Sequence, residues 1–333
     1  MTRRPPLPQR CGLDAVRYVV GPSLPARSAH DRLLDRFPAL GDPAATPLRQ
    51  RFARGEVVRG DGTPWQADDM TTTGDALWFH RELRPETVPE MELPILLQDD
   101  HLLVVDKPHD MATMPRGRHV LASALVRLRQ QTGLEQLSPI HRLDRRTAGV
   151  LAFSVNAQER SAYQGLFARR QVDKTYRALV LAEPCSALPA RPGAQMVLRD
   201  HLTKPRGSLQ VRVTGGEPNA VTEVEVLAVH DAPRHLNHPG TGHGPEPSSR
   251  DSAPRLLELR LRPLTGRTHQ LRVQLAARGA PIIGDDLYPV VRCEESADGP
   301  LRLLAERLAF TDPLTGHPRS ISSTRVLQPP RQL

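Results

Sequence analysis

An α+β fold built on a mainly antiparallel, mixed sheet with flanking helices is the class this sequence predicts. Three observations carry it. From residue 93 onward most segments either alternate apolar and polar residues or run apolar over four to eight positions, the two signatures of strands. Helical spacing is rarer there, and the strands and helices do not alternate regularly, which disfavours a parallel sheet of βαβ units. The length of 333 residues suits one large domain or two moderate ones.

The elements follow in order. Residues 1–30, rich in Pro and Arg without a sustained period, read as a disordered arm. Residues 31–82 read as a small α-then-β unit. RLLDRF and PLRQRFARG have helical spacing and end at Gly55, while EVVRGDGTPW and GDALWFHR read as strands, the first with a Gly60-Asp61-Gly62 turn. Residues 83–92 form a Pro-containing linker. A larger domain then spans 93–325. It opens with two strands around an acidic turn in ILLQDDHLLVVDKP, followed by the amphipathic helix VLASALVRLRQQTG, closed by Gly133. GVLAFSV is a strand, and NAQERSAYQGLFARR is a helix in which Asn156 and Glu159 make a variant capping box. TYRALVLAE, SLQVRVTG, VTEVEVLAV and LLELRLR are strands, and THQLRVQLAARG is a helix before Gly279. Residues 233–255, dense in Pro, Gly and Ser, are an inserted surface loop.

Composition bounds the function. The formal charge is +8, and of the 45 basic residues only Lys107, Lys174 and Lys204 are lysine; the other 42 are arginine. Arginine's planar fork suits phosphate oxygens, which points to a polyanionic partner. Coding bias in a GC-rich genome explains an Arg, Ala and Pro excess equally well, so charge alone does not decide. Cys11, Cys185 and Cys293 are odd in number and far apart, which argues against a disulfide scaffold or zinc cluster. No apolar run approaches the roughly 18–20 residues of a membrane span, and MTRRPPLPQR lacks a signal peptide's apolar core. The expectation is a soluble, cytoplasmic, basic protein.

Three stretches carry chemistry. In HRLDRRTAGVLAF (141–153) Asp144 stands just before a strand, at a sheet edge where loops build active sites; it can equally cap a turn and pair with Arg145 or Arg146. In LRPLTGRTHQLRVQLAARGAPIIGDDLY (261–288) Thr268 can N-cap a helix whose first amides favour an anion. Arg267, just before it, can hold a phosphate or a carboxylate, or simply face solvent. In QVDKTYRALV (171–180) Tyr176 offers a flat ring and a phenol between Lys174 and Arg177, or ordinary strand packing. His235, His238 and His243 lie close in sequence, but their Pro/Gly-rich loop gives no rigid metal frame. Asp285-Asp286 reads as a structural turn.

Together HRLDRRTAGVLAF, KTYRALV and PLTGRTHQLRVQL…GAPIIGDDLY resemble the three signature regions of the RluA-type RNA pseudouridine synthases, in that family's order. ILLQDDHLLVVDKPHDMATMP resembles the strand pair and Lys-Pro turn that open the same domain, and LLAERLAFTDPLTG its closing strand. The resemblance covers roughly 93–320, and residues 31–82 more weakly resemble an S4 RNA-binding unit. Ala148 stands where the family commonly has Ser, and the 233–255 loop is extra.

The resemblance implies an enzyme that isomerises uridine within ribosomal or transfer RNA to pseudouridine. The N1–C1′ bond breaks, the uracil rotates, and C5 joins C1′. No atoms or electrons are gained, so neither cofactor nor metal is implied, and no GxGxxG or GxxxxGK[ST] loop is found. The resemblance places Asp144 at the reacting sugar, where a carboxylate stabilises or attacks an oxocarbenium-like C1′. It pairs Asp144 with Arg267, an interaction that lowers a carboxylate's pKa by about 1–3 units. Arg142 would hold the flipped nucleotide and Tyr176 would stack on the uracil. Lys107, Lys174, Thr268 and His269 fall in the RNA-binding segments, and the chain is expected to act as a monomer without protein partners. A non-catalytic RNA-binding protein of the same fold is the first rival reading. A glycoside hydrolase is the second, disfavoured because no motif supplies a second carboxylate.

Overall fold

In the computed structural model, residues 5–22, 24–83, 86–117, 119–232, 253–292 and 299–327 are described, and the chain divides into two units. The first comprises Met1–Pro89 and Pro115–Glu135, the second Glu90–Met114 and Gln136–Leu333.

The first unit pairs β1 (Val16–Val19) antiparallel with β4 (Ala76–Phe79), and β2 (Arg27–Ser28) with β3 (Met70–Thr71). Helices α1 (Ala29–Arg36) and α2 (Leu48–Ala53) are those expected. Ser28 caps α1, its hydroxyl accepting from the Asp31 amide at 3.1 Å. Ala29, Leu33, Phe52, Trp65, Leu77 and Phe79 make an apolar centre. The arm expected over 1–30 is corrected here: VRYV is a strand, because Val16 and Tyr18 alternate onto that centre and Val20 is buried beside them. The expected strand from 56 to 65 reduces to bridges from Val58 to Pro64 and Trp78, since Pro64 has no N–H to extend a ladder.

Helix α3 (Ala124–Thr132), expected inside the larger domain, belongs to this first unit. The Glu86 carboxylate accepts from the amides of Val120, Leu121 and Ala122. Arg129 donates to the Gly12 carbonyl at 3.1 Å. Gly133 ends α3 in the left-handed region, φ 71°, which glycine enters at no steric cost.

The second unit is built on a sheet of β5 (Ile95–Gln98), β6 (Leu102–Lys107), β7 (Ser138–Pro139), β8 (Ala148–Ser154), β9 (Val172–Ala182), β10 (Gln195–Thr203), β11 (Arg212–Thr214), β12 (Ala220–Asp231), β13 (Arg255–Pro263), β14 (Leu303–Thr311) and β15 (Pro318–Ser322). The order is β11-β10-β12-β13-β9-β14-β8-β6-β5, with β15 on β14 and β7 on β8. Among the described residues only the β14–β8 pairing of this sheet is parallel. The α+β class with a mainly antiparallel sheet is therefore as expected. Strands β7, β10 and β15 were not foreseen, being short or charge-interrupted.

Among the described residues, helices α4 (Arg160–Ala168) and α5 (Gln270–Ala276) join this unit. The capping box expected for α4 does not form: Glu159 instead meets the His101 ring at 3.1 Å. Leu257, Leu259, Leu261, Val180, Leu271 and Leu275 fill one buried cluster, and Leu102, Val104, Val150, Tyr163, Leu166 and Phe310 another. Fully burying each such side chain contributes roughly 1.5–3 kcal/mol. Gly149 is dictated by the parallel seam. It has φ +111°, and a Cβ there would strike the Ala305 backbone carbonyl. Glycine thus lets β8 lie against β14 directly after the loop that carries Asp144. The loop insertion expected over 233–255, and with it His235, His238 and His243, lies outside the described residues except for 253–255. Cys293 also lies outside them.

Candidate active site

Asp144 sits in the loop between β7 and β8, and that loop is held by side chains rather than by a sheet ladder. Thr113 clamps Leu143 from both sides: its hydroxyl donates to the Leu143 carbonyl at 2.8 Å and accepts from the Leu143 amide at 3.1 Å. Lys107 is fully buried and donates to the carbonyls of Arg145 (3.0 Å), Met111 (2.8 Å) and Pro108 (2.9 Å). His109 Nδ1 donates to the Arg146 carbonyl at 2.8 Å. The Thr147 amide closes the turn on the Asp144 carbonyl at 3.1 Å. Burial pushes the Lys107 ammonium down to about 7, against the pull of Asp110 and Asp144. It likewise lowers His109. Buried polar groups of this kind are costly unless satisfied, and here all three satisfy the backbone on either side of Asp144.

The carboxylate's cationic neighbour is Arg272, not Arg267. Arg272 Nη1 lies 4.0 Å from Asp144 Oδ2, with side-chain exposures of 3% for Arg272 and 26% for Asp144. At that separation two unit charges attract by about 4 kcal/mol at an effective dielectric of 20, before desolvation is counted. Arg272 is itself fixed. Its Nε donates to Asp285 Oδ2 at 2.8 Å, its Nη2 to Asp286 Oδ1 at 2.7 Å, and its guanidinium stands 5.5 Å from the Tyr288 ring centre. Burial opposes its charge, but the hydrogen bond and charge of Asp285, then Asp144 and Asp286, outweigh it and raise its pKa. The Asp285-Asp286 turn is structural, yet the two carboxylates converge on one guanidinium rather than pointing apart. Arg267 faces solvent, its Nε donating to the Asn219 carbonyl at 3.2 Å.

Around Asp144 opens a cavity of about 560 Å³. Arg142, Lys174, Tyr176, Arg267, Thr268 and His269 all line it; Lys107 does not. Lys107 is therefore corrected from an RNA contact to an internal anchor, because zero exposure leaves no surface for a ligand. Thr268 does not cap α5. His269 holds the N-cap position in the left-handed region, φ 52°, with no side-chain cap bond. The turn is tied instead by Gln270, whose Oε1 accepts from the Arg267 amide and the Thr265 hydroxyl at 3.0 and 2.8 Å. His269 Nδ1 lies 3.1 Å from the Tyr288 hydroxyl.

Lys174 reaches the Thr265 carbonyl at 3.2 Å, and burial lowers its pKa. Burial, aided by the charge of Asp144, raises the Tyr176 phenol well above the ordinary range. Tyr176 thus presents a neutral ring and hydroxyl to the cavity. Sequence reasoning missed the pair of His141 and Phe167, stacked with centroids 5.0 Å apart and also lining the cavity. His141 Nε2 accepts from the Ala152 amide at 3.1 Å, and burial, then the charge of Lys174, bring it down to about 3. The ring is neutral, with its proton on Nδ1.

Three comparisons bear on the family and the fold. Residues 101–277 match the family described as RNA pseudouridylate synthase, and the chain belongs to that family. Within it the likeness is to the RluA type. The chain is 32% identical over 228 residues to the dual-specificity RNA pseudouridine synthase RluA of Haemophilus influenzae, covering 68% of this chain and 90% of that protein. Identity to RluA of Escherichia coli is 33% over 227 residues, with the same coverage. Among solved structures, human RNA pseudouridylate synthase domain containing 1 has the same fold at a TM-score of 0.53 and 23% identity, covering 73% of this chain and 86% of that one.

Proposed function

We propose that Asp144 is the carboxylate through which this RNA pseudouridine synthase acts, and that Arg272 keeps it aimed. The observation that carries this is the placement of Asp144 in the cavity, 4.0 Å from a guanidinium that two further carboxylates pin. The reaction isomerises uridine in RNA. The N1–C1′ bond breaks, C5 joins C1′, C5 gives up its proton and N1 gains one, so atoms and electrons balance. A carboxylate that meets an electron-poor C1′ acts as a nucleophile or charge stabiliser there, and Arg272 fixes one side of it. Holding it on a pinned loop removes the reorganisation a free side chain would need.

Tyr176, kept neutral, stacks on the extruded uracil, a contact worth roughly 1–3 kcal/mol. Arg142, exposed at the cavity mouth with no ion pair among the described residues, holds the flipped nucleotide. Lys174, Thr268 and His269 line the wall that receives the sugar and phosphate, and Arg267 contacts RNA at the rim instead of pairing with Asp144. Ribosomal or transfer RNA is the target, and residues 31–82 add an S4-like contact surface through their helix pair. The chain acts as a monomer in the cytoplasm; among the described residues no helix is long and apolar enough to cross a membrane. The test is to map pseudouridines across cellular RNA with and without the gene, and after complementation with Asp144→Ala. Sites that vanish on deletion and return only with the wild-type gene are expected. Their return with Asp144→Ala would refute the assignment.

A further inference from the structure

We infer that Arg170 is a phosphate-binding residue at the rim of the cavity, gripping the RNA backbone beside the target uridine; this rests on reading the cavity as a uridine site. Helix α4 ends in a Schellman motif, with the Gln171 amide bonded to the Leu166 carbonyl at 2.8 Å and the Arg170 amide to the Phe167 carbonyl at 3.2 Å. The residue after the cap in this motif takes a left-handed conformation and is usually glycine. Gly133 fills that place at the end of α3 (φ 71°), whereas α4 puts Arg170 there, at φ 59°. A side chain with a Cβ is strained at such a φ, and glycine would relieve the strain. An outlier of this kind calls for a functional account.

The account lies in where the side chain goes. Arg170 is exposed and lines the same cavity as Asp144, together with the exposed Arg142 and Arg267. Several other arginines of this unit, though not all, are committed to carboxylates: Arg177 to Glu258 and Glu306, Arg260 to Glu225, Arg278 to Asp200, Arg319 to Asp99 and Asp312. Among the described residues, the guanidiniums of Arg142 and Arg170 have no such partner. A uridine seated with its sugar at Asp144 must bring its flanking phosphates out past the cavity mouth. A guanidinium there meets them with a planar fork that takes two phosphate oxygens at once.

The test measures the affinity of a fluorescently labelled, uridine-containing RNA hairpin by anisotropy across a potassium chloride series. The proteins are the wild type, Arg170→Gly and Arg170→Lys, and the melting temperature of each is recorded. Loss of one phosphate contact lowers the slope of log K against log salt by about 0.7 for a single-stranded contact. Arg170→Gly should lose that much slope and bind about ten-fold more weakly at low salt. Its melting temperature should equal or exceed that of the wild type. Arg170→Lys should keep the slope. A wild-type slope in Arg170→Gly, a fall in its melting temperature, or a lysine variant as defective as glycine overturns the inference. Absence of salt-dependent binding by the wild type would overturn the reading of the cavity instead.

Discussion

The floor and the rim of the cavity are built in opposite ways. On the floor, Asp144, Arg272 and the 143–146 backbone are held by Thr113, Lys107, His109, Asp285 and Asp286 through short hydrogen bonds and close charge contacts. At the rim, Arg142 and Arg170 are exposed and without a carboxylate among the described residues, and Arg267 has one backbone bond. The contrast separates two tasks. A reacting carboxylate gains from being fixed before substrate arrives, whereas cations that meet a polyanion gain from being uncommitted until it does.

The contrast breaks most severely at Arg272. Arg272→Ala would leave Asp285 buried without its cation, and Asp286 with only Arg146 at 3.6 Å, a loss of about 3–5 kcal/mol for a broken buried pair, measurable by denaturant unfolding. Arg272→Lys, which keeps a charge but not the fork, should restore part of the stability while pseudouridine formation stays far below wild type. Thr113→Val comes next. It removes both hydrogen bonds to Leu143 at little change in shape and leaves buried groups unsatisfied, costing about 1–3 kcal/mol. If the clamp positions Asp144, its kcat should fall while RNA affinity holds.

A third test uses acid. In the folded chain His141 keeps its neutral form down to about 3, while a free histidine takes up a proton near 6.5. Between those values the unfolded state binds more protons, so stability falls as pH drops through that window and is complete above 6.5. His141→Phe should flatten this limb of the stability curve; an unchanged limb would show that the ring does not contribute to it. The smallest effect on stability belongs to the rim. Arg142→Ala should stay within about 0.5 kcal/mol of wild type, yet weaken RNA binding and its salt dependence.

Much of this was legible in the sequence, for identifiable reasons. Asp144 stands out because the apolar run from Ala148 to Phe153 fixes a strand directly after it, and Tyr176 because KTYRALVLA has strand character throughout. Arg272 was missed in favour of Arg267, five residues earlier in the same stretch. The choice depends on His269, whose left-handed backbone starts a short helix that buries every residue from Gln270 to Leu275. A signal was present: Asp285-Asp286 requires a buried cation, and Arg272 lies between Leu271 and Val273. Lys107 was read as an RNA contact although it ends β6, where the apolar run Leu102–Val105 carries Asp106 and Lys107 into the interior with it. Arg170 gave no signal, since a left-handed φ at a non-glycine residue has no reliable mark in sequence.

The account depends most on the carboxylate at the centre of the floor. Purified Asp144→Asn is nearly isosteric, so it should keep the melting temperature and RNA affinity of the wild type. Incubated with RNA carrying the mapped target uridine and assayed by mass spectrometry of nucleosides, it should form no pseudouridine. Pseudouridine formed by Asp144→Asn at a rate near the wild type's would contradict the account.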